Sequence, residues 1–244
     1  KSAVVPCEGG VLLPLSRMSN LLIRDGRERG LSTGMMETLK LLGVHQVDTA
    51  VVGSDNTSPP KEFWNYVGRM TRDDILSCFG SLLRGNATKF GAAVDALDGD
   101  AKDELVHFFA TGEPISSLSS EGSKVLQRLS LFRICNESNG ILYTTLTRGT
   151  FFVLSDAKRL STDVMSNKFL LARTPHELDL LCKLGVAKLS RSDYYMQHYL
   201  PLLKNLHSTT PGAMLANTVE MVLELNSLAS ENRKIILVKQ KSQP

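Results

Sequence analysis

The first hydrophobic residues of the chain form two short runs on either side of a glycine pair. Val4-Val5-Pro6 is followed by Glu8-Gly9-Gly10 and then by Val11-Leu12-Leu13. Glycine readily adopts the positive φ that a tight turn needs. These residues are therefore predicted to form a β-hairpin.

A capped helix is predicted after a polar link. Met36, Leu39 and Leu42 recur at helical spacing and fall on one face. Ser32 stands where an N-cap residue is expected, because its side chain can accept from a free backbone N–H of the first turn. Gly43 follows the last apolar position and can adopt the left-handed conformation that ends many helices.

The same helix is predicted a second time, 142 residues further along. Thr174 is its N-cap, Pro175 suits the first helical position and Glu177 completes a capping box. The positions Ser32, Met36, Leu39, Leu42, Gly43 and Val44 are matched in this way by Thr174, Leu178, Leu181, Leu184, Gly185 and Val186. We interpret the match as an internal repeat. Chance coincidence in a leucine-rich chain is the alternative.

The remaining residues follow mainly helical patterns. Between the two copies, helices are predicted over 60–69, 72–83 and 100–110, with linkers over 85–89 and 112–114. After the second copy, a helix is predicted to begin at Ser190 with Asp193, and a long one after Pro211. Predicted helices therefore outnumber predicted strands.

These elements predict a helix-rich α+β fold with short hairpins or small sheets in two related mixed units and additional helical layers. A hairpin around Asn139-Gly140 opens the second unit. We expect the end of a first mixed unit over 1–55, a helical connecting region over 56–128 and a second mixed unit with C-terminal helices over 129–244.

Composition and charge exclude several classes of protein. The 28 basic and 25 acidic residues among 244 give a net charge of +3, which is too small for a protein that grips many phosphates. Apolar runs are much shorter than the roughly 20 residues that cross a bilayer. The four cysteines have no paired spacing, which favours reduced thiols. We expect a cytoplasmic segment of a longer polypeptide that binds neither nucleic acid nor membrane.

Motifs for catalysis and cofactor binding are not found in the sequence. It contains neither a glycine-rich phosphate loop nor a G-x-S-x-G nucleophile turn. The five histidines show no spacing typical of a zinc site. Acidic residues over 95–104 superficially suggest calcium, but Asp100 as a helix cap and Asp103 in the first turn explain them better. The sequence thus predicts a noncatalytic chain without cofactor or metal.

Aromatic residues are the candidates for contact with another protein. Tyr194, Tyr195 and Tyr199 lie on one predicted helix, and Trp64 lies beside two other aromatic residues. Tyrosine and tryptophan provide large contact areas at low entropic cost. The alternative for both groups is that one face packs inward and the polar atoms reach solvent.

The second copy contains short motifs in a distinctive order. They are Phe152-Val153-Leu154-Ser155, Lys168-Phe169-Leu170-Leu171, Leu180-Leu181-Cys182-Lys183-Leu184-Gly185-Val186 and Tyr194-Tyr195, followed by Tyr199-Leu200-Pro201-Leu202-Leu203. Over residues 129–240 this order resembles the repeated regions of sacsin and its plant relatives. Residues 1–50 resemble, more faintly, the end of a preceding copy.

The resemblance implies a giant cytosolic chaperone or co-chaperone of protein quality control, in which mixed modules follow an ATPase fold. The ATPase hallmarks of that family do not occur in this sequence, so no nucleotide-contact residue is transferred. The leading hypothesis is a noncatalytic structural and protein-interaction segment whose partners are client proteins or neighbouring modules of the same chain. The alternatives are a self-contained hydrolase or nucleotide-binding enzyme with scattered site residues, and an adaptor segment of a RING-bearing, ubiquitin-ligase-type relative.

Overall fold

The structure is a computed structural model. It describes residues 3–16, 20–23, 31–48, 61–111, 117–134, 142–154 and 168–199, together with positions 219, 222, 223, 226 and 227.

The predicted helix-rich α+β class is confirmed. The helices are α1 Thr33–Leu41, α2 Arg72–Asp95, α3 Gly99–Ala110, α4 Ser120–Gln127, α5 Pro175–Lys183 and α6 Arg191–Tyr194. The strands are β1 Val4–Cys7, β2 Val11–Pro14, β3 Leu21–Ile23, β4 His45–Gln46, β5 Val67–Arg69, β6 Phe132–Ile134, β7 Leu142–Thr144, β8 Phe152–Leu154, β9 Phe169–Leu170 and β10 Ala187–Leu189.

The first group of strands consists of a hairpin beside a parallel sheet. The predicted hairpin is confirmed, because β1 and β2 pair antiparallel with Cys7 opposite Val11. In the three-stranded sheet the order is β4-β3-β5, and both pairs are parallel. An antiparallel bridge between Cys7 and Val47 joins β1 to the end of β4. The combined order is therefore β2-β1-β4-β3-β5.

The second sheet has the order β7-β6-β9-β8-β10. Its hairpin strands β6 and β7 are antiparallel, β6 is antiparallel to β9, and the last three strands are parallel. Both groups therefore place an antiparallel hairpin beside three parallel strands. The two groups differ in how helices connect their strands. In the first group, α1 connects the central strand β3 to β4, the strand beside the hairpin. In the second group, α5 connects β9, the strand beside the hairpin, to the outer strand β10.

The helix predicted to recur has the same ends in both places. Ser32 Oγ accepts from Met35 N at 2.9 Å, and Thr174 Oγ1 accepts from Glu177 N at 3.2 Å. Gly43 has φ of 85° and Gly185 has φ of 87°. The caps and glycine ends predicted for α1 and α5 are thus confirmed.

The sequence prediction was wrong in the region before α2. Residues 60–69 were expected to be a helix, but a short 3-10 helix at Lys61–Asn65 is followed by strand β5. Strand β5 is stabilised by pairing with β3, which lies more than 40 residues earlier. The first sheet thus extends beyond residue 55.

A linker predicted over 85–89 is also wrong, because α2 continues through it with a kink at Asn86. The rings of Phe79 and Phe90, one on each side of the kink, lie 5.3 Å apart. Their shared burial in the core favours continuation of the helix. A further correction concerns α3, whose N-cap is Asp98 rather than Asp100.

The main hydrophobic core lies between the helices and one face of the second sheet, and it includes Phe79, Phe109, Val153 and Leu170. Leu22 of β3 also belongs to it, whereas its neighbours Leu21 and Ile23 belong to a separate cluster on the opposite face. Helix α3 packs against both α1 and α5. None of the helices within the described ranges combines the length and apolar character needed to cross a bilayer.

Candidate functional site

Two of the tyrosines predicted as protein contacts lie in the interior. Tyr194 is 1% exposed, and Tyr195 is also buried. The ring of Tyr194 meets the ring of Phe169 edge-on, with centroids 5.1 Å apart. Both tyrosines therefore pack inward, which was the alternative to contact with a partner. Their burial argues against direct contact with another protein.

Tyr199 ends a π-helix that continues α6 over Tyr195–Tyr199, and its side chain lies outside the description. Its role therefore stays a prediction. In the same π-helix, the His198 ring lies 5.0 Å from the ring of Phe152. Burial and the positive charge of Lys168 lower the pKa of His198, so the neutral imidazole is favoured against the second sheet.

Trp64 is on the surface, 41% exposed, in the 3-10 helix that precedes β5. Its ring packs edge-on against Phe63 with centroids 5.4 Å apart, and the guanidinium carbon of Arg69 lies 5.9 Å from the centroid. Phe63 in turn packs on the cluster behind the first sheet. Trp64 is thus a supported, exposed aromatic ring, and it lies at a different sheet from Tyr194.

A polar cluster that no sequence motif marks as a site connects α3, α5 and the second hairpin. We call it the Asp103 cluster, and it consists of Asp103, Arg133, Tyr143, Arg173 and Glu177. Each residue type is ordinary on a surface, and only the packing of three elements brings them together.

Asp103 is the centre of this cluster, with its side chain 14% exposed. Its carboxylate accepts from Arg173 Nη1 at 2.5 Å, from Arg133 Nη2 at 3.1 Å and from the Tyr143 hydroxyl at 3.0 Å. Burial and the negative charge of Asp103 raise the pKa of Tyr143. The phenol therefore remains a hydrogen-bond donor at neutral pH.

Arg173 links Asp103 to the N-terminus of α5. Its Nη2 donates to the buried Glu177 carboxylate at 2.7 Å and to the backbone carbonyl of Asp103 at 3.0 Å. Burial opposes the charge on Arg173, but the hydrogen bond and charge of Glu177 outweigh it and raise the pKa of Arg173. Glu177 also accepts from the backbone N of Arg173 at 2.8 Å. The predicted capping box is thus shifted by one residue, because Glu177 reaches the residue before the cap.

Lys102 extends the cluster towards α2. It is buried, and its Nζ donates to the Asp95 carbonyl at 2.9 Å. The same Nζ lies 4.9 Å from the centroid of the Tyr143 ring. A buried ammonium needs such compensation because its transfer from water is costly.

The neighbour of Asp103 makes the corresponding contact with α1. Glu104 accepts a short hydrogen bond from the hydroxyl of Ser32, the N-cap of that helix. Two adjacent acids of α3 therefore reach the N-terminal ends of α1 and α5. Helix α3 is therefore bonded to the starts of both helices, through Ser32 for α1 and through Arg173 for α5.

An open cleft of about 460 Å³ lies beside this arrangement. It is lined by Asp100, Asp103, Glu104, His107, Arg173, Thr174 and Glu177. Asp103 and Glu177 are already bonded to arginine, and Glu104 is bonded to Ser32. The cleft therefore has acidic walls whose carboxylates mainly stabilise the fold.

A smaller cavity of about 250 Å³ lies between the first hairpin turn, α1 and β4. Cys7 lines it, but burial raises the pKa of the Cys7 thiol. Elsewhere, burial and the charge of Asp74 raise the pKa of Cys78 to about 12. Both thiols are protonated at neutral pH and are poor nucleophiles. His45 also lines the cavity, and burial together with Lys40 lowers its pKa.

In the parts of the chain that the structure describes, no three His, Cys, Asp or Glu side chains are grouped closely enough to hold a metal ion.

The sequence signal for the Asp103 cluster is limited to Asp103-Glu104 on the polar face of a helix and to Arg173 before a cap. Neither motif indicates that the two segments meet.

Comparison with protein-family models, with curated proteins and with solved structures found no match for this chain.

Proposed function

We propose that this chain is a noncatalytic structural and protein-interaction segment of a giant sacsin-like chaperone or co-chaperone that acts in cytoplasmic protein quality control. Its partners would be client proteins or neighbouring modules of the same polypeptide. The proposal rests on the resemblance of residues 129–240 and on the role of the polar groups in the structure.

The observation that carries the proposal is the use of Asp103 and Glu104 to hold two helices. Asp103 binds Arg173 beside α5, and Glu104 binds Ser32 at the start of α1. The side chain of Asp103 is 14% exposed and that of Arg173 is 32% exposed, so removing Asp103 would leave a partly buried guanidinium without its partner and lower stability. A rigid joint of this kind suits a module that transmits position between neighbouring units.

Trp64 supports the protein-interaction part of the proposal. Tryptophan side chains are mostly buried in folded proteins, and those on the surface are frequent at the centre of protein interfaces. The ring is held by Phe63 and faces Arg69, so little side-chain entropy remains to be lost on binding. A partner that covers this ring would gain its hydrophobic contact at low cost.

Suppression of the aggregation of reduced insulin tests the proposal. We expect the chain to slow aggregation, and we expect Trp64→Ala to weaken the effect several-fold. Met196→Ala is the matched control, because Met196 is exposed on a different element. Lack of suppression by the wild-type chain, or equal loss in both variants, would contradict the proposal.

A hydrolase or nucleotide-binding enzyme is the alternative, and the open cleft beside α3 is where it would act. His107 and Asp100 line this cleft. Calorimetric titration with Mg-ATP and an assay of phosphate release distinguish the two functions. We expect neither binding nor release, and tight binding that is lost in His107→Ala would favour the enzyme.

A further inference from the structure

The first hairpin is apolar on both faces, although the described residues cover only one of them. Val5 and Cys7 are buried in the cluster behind the first sheet. On the opposite face, Val4 is 59% exposed and Leu12 is 64% exposed. Continuous apolar strands are typical of strands that are covered on both sides.

Strand β2 is also an edge strand in the part of the chain that the structure describes. Leu15 N donates to Ala3 O at 2.7 Å. Because hydrogen-bonded and non-hydrogen-bonded pairs alternate in an antiparallel ladder, the N–H and C=O of Leu12 point away from β1. Edge strands of this kind pair with further strands unless charge, bulges or a cover prevent it.

The equivalent strand of the second sheet is in contact with a helix through one side chain. The Tyr143 hydroxyl of β7 lies 3.0 Å from Gly99 O of α3, and Lys102 of α3 lies over its ring. Residues Val11–Pro14 include no charged side chain. Among the described residues, a helix thus contacts the outer strand of the second hairpin, whereas the outer face of β2 is open, with Leu12 64% exposed.

Size and chemistry decide which occupant suits this edge. Four outward side chains expose at most a few hundred Å², well below the about 800 Å² per partner of a stable protein interface. This favours a short segment over a second copy of the chain. At Leu12 the outward groups are an apolar side chain, one N–H and one C=O, which complement an extended, uncharged, apolar peptide.

We propose that β2 binds extended apolar segments of unfolded polypeptides by adding them as a further strand, with Leu12 at the centre of the contact. The backbone of Leu12 supplies one donor and one acceptor, and Leu12 with Val4 supplies the apolar surface. Proline at position 14 has no N–H, which confines the pairing to a short stretch. This inference rests on the proposed client-binding function and names the class of client.

Fluorescence anisotropy with a labelled, end-blocked heptapeptide of alternating valine and threonine tests the inference. We expect saturable binding that weakens at least tenfold in Leu12→Lys. Leu41→Lys is the matched control, because Leu41 is 74% exposed on α1, and we expect less than a twofold change. A peptide with N-methylated alternate amides should also bind at least fivefold more weakly.

Thermal unfolding of each variant checks that it folds, and Val4→Lys replaces Leu12→Lys if the latter does not. Unsaturable binding, equal weakening in the Leu12 and Leu41 variants, insensitivity to N-methylation, or dimerisation of the chain through this edge would overturn the inference. If insulin aggregation is still suppressed in any of these cases, the proposed function stands and only the assignment to β2 fails.

Discussion

The two groups of strands have the same order and directions but differ in how the chain connects them. In the first group, α1 joins the central strand to the strand beside the hairpin. In the second group, α5 joins the strand beside the hairpin to the outer strand. The helix with its cap and glycine end therefore recurs, while the strand that follows it takes a different place. Similar local sequence specifies a helix and its ends without specifying its sheet position.

A second recurrence follows the outer strands and has a different spacing. Thr71 caps α2 after β5, and Asp74 accepts from the backbone N of Arg69 at 2.8 Å. Ser190 caps α6 after β10 in a capping box with Asp193. These pairs are 119 residues apart, whereas the helix motifs are 142 apart. A single offset therefore does not relate the two groups.

The largest expected effect comes from the matched core leucines of the repeated helix. Leu39→Ala and Leu181→Ala should each lower the free energy of unfolding by about 2–5 kcal/mol, because both side chains are buried. We expect the two values to agree within about 1 kcal/mol if the helices pack equivalently. Urea unfolding measures them, with exposed Leu41→Ala expected to change stability by less than about 0.5 kcal/mol. A large difference would restrict the similarity to the helix ends.

Loss of the Asp103 cluster should be the next largest effect. Asp103→Ala leaves Arg133 and Arg173 without their shared carboxylate. Because the three side chains are only partly buried, we expect a loss of about 1–3 kcal/mol by urea unfolding. Asp100→Ala on the same helix is the control, because Asp100 is exposed. Equal losses in the two variants would show that the cluster contributes little.

Smaller effects are expected at the glycines that end the two helices. Gly43→Ala and Gly185→Ala should each cost about 1–2 kcal/mol, because the left-handed conformation is unfavourable for residues with a Cβ atom. The control is Gly91→Ala within α2, where an added Cβ meets no atom within 4 Å and alanine should stabilise by about 0.5–1 kcal/mol. Neutral effects at both helix ends would contradict the assigned φ values.

The smallest effect is a shared dependence on pH. The folded state lowers the pKa of His45 and of His198 below 6.5 through burial and a nearby lysine. The unfolded chain then binds more protons, so stability is complete above pH 6.5 and falls as the pH drops through the folded pKa values. His45→Gln and His198→Gln should each reduce the slope of urea midpoint against pH between 7.5 and 5. An unchanged slope in either variant would exclude that histidine.

Sequence patterns predicted the elements that local interactions control. Hairpin β1–β2, the caps at Ser32 and Thr174 and the left-handed glycines are confirmed because each depends on a few neighbouring residues. Strand β5 was missed because its partner β3 lies far away in sequence. Local sequence predicts a linker over 85–89. The helix continues there with a kink at Asn86, because Phe79 and Phe90 pack together in the core.

The candidate site was predicted less well than the fold. Trp64 was identified, and its exposure keeps it a candidate protein contact. The tyrosine helix was identified as aromatic, but whether its rings face a partner or the sheet depends on which strands lie beneath it. The Asp103 cluster was not anticipated, because its members come from residues 103, 133, 143, 173 and 177, and their separation in sequence carries no pairing signal.

The sequence by itself determined the ends of α1 and α5, which segments form hairpins and the helix-rich α+β class, because capping, glycine conformation and hydrophobic periodicity act over a few residues. Tertiary structure alone decided the order of strands, the inward packing of Tyr194 and the meeting of Asp103 with Arg173. Those features depend on contacts between distant segments, whose free energy is gained only after the chain has closed the loops between them.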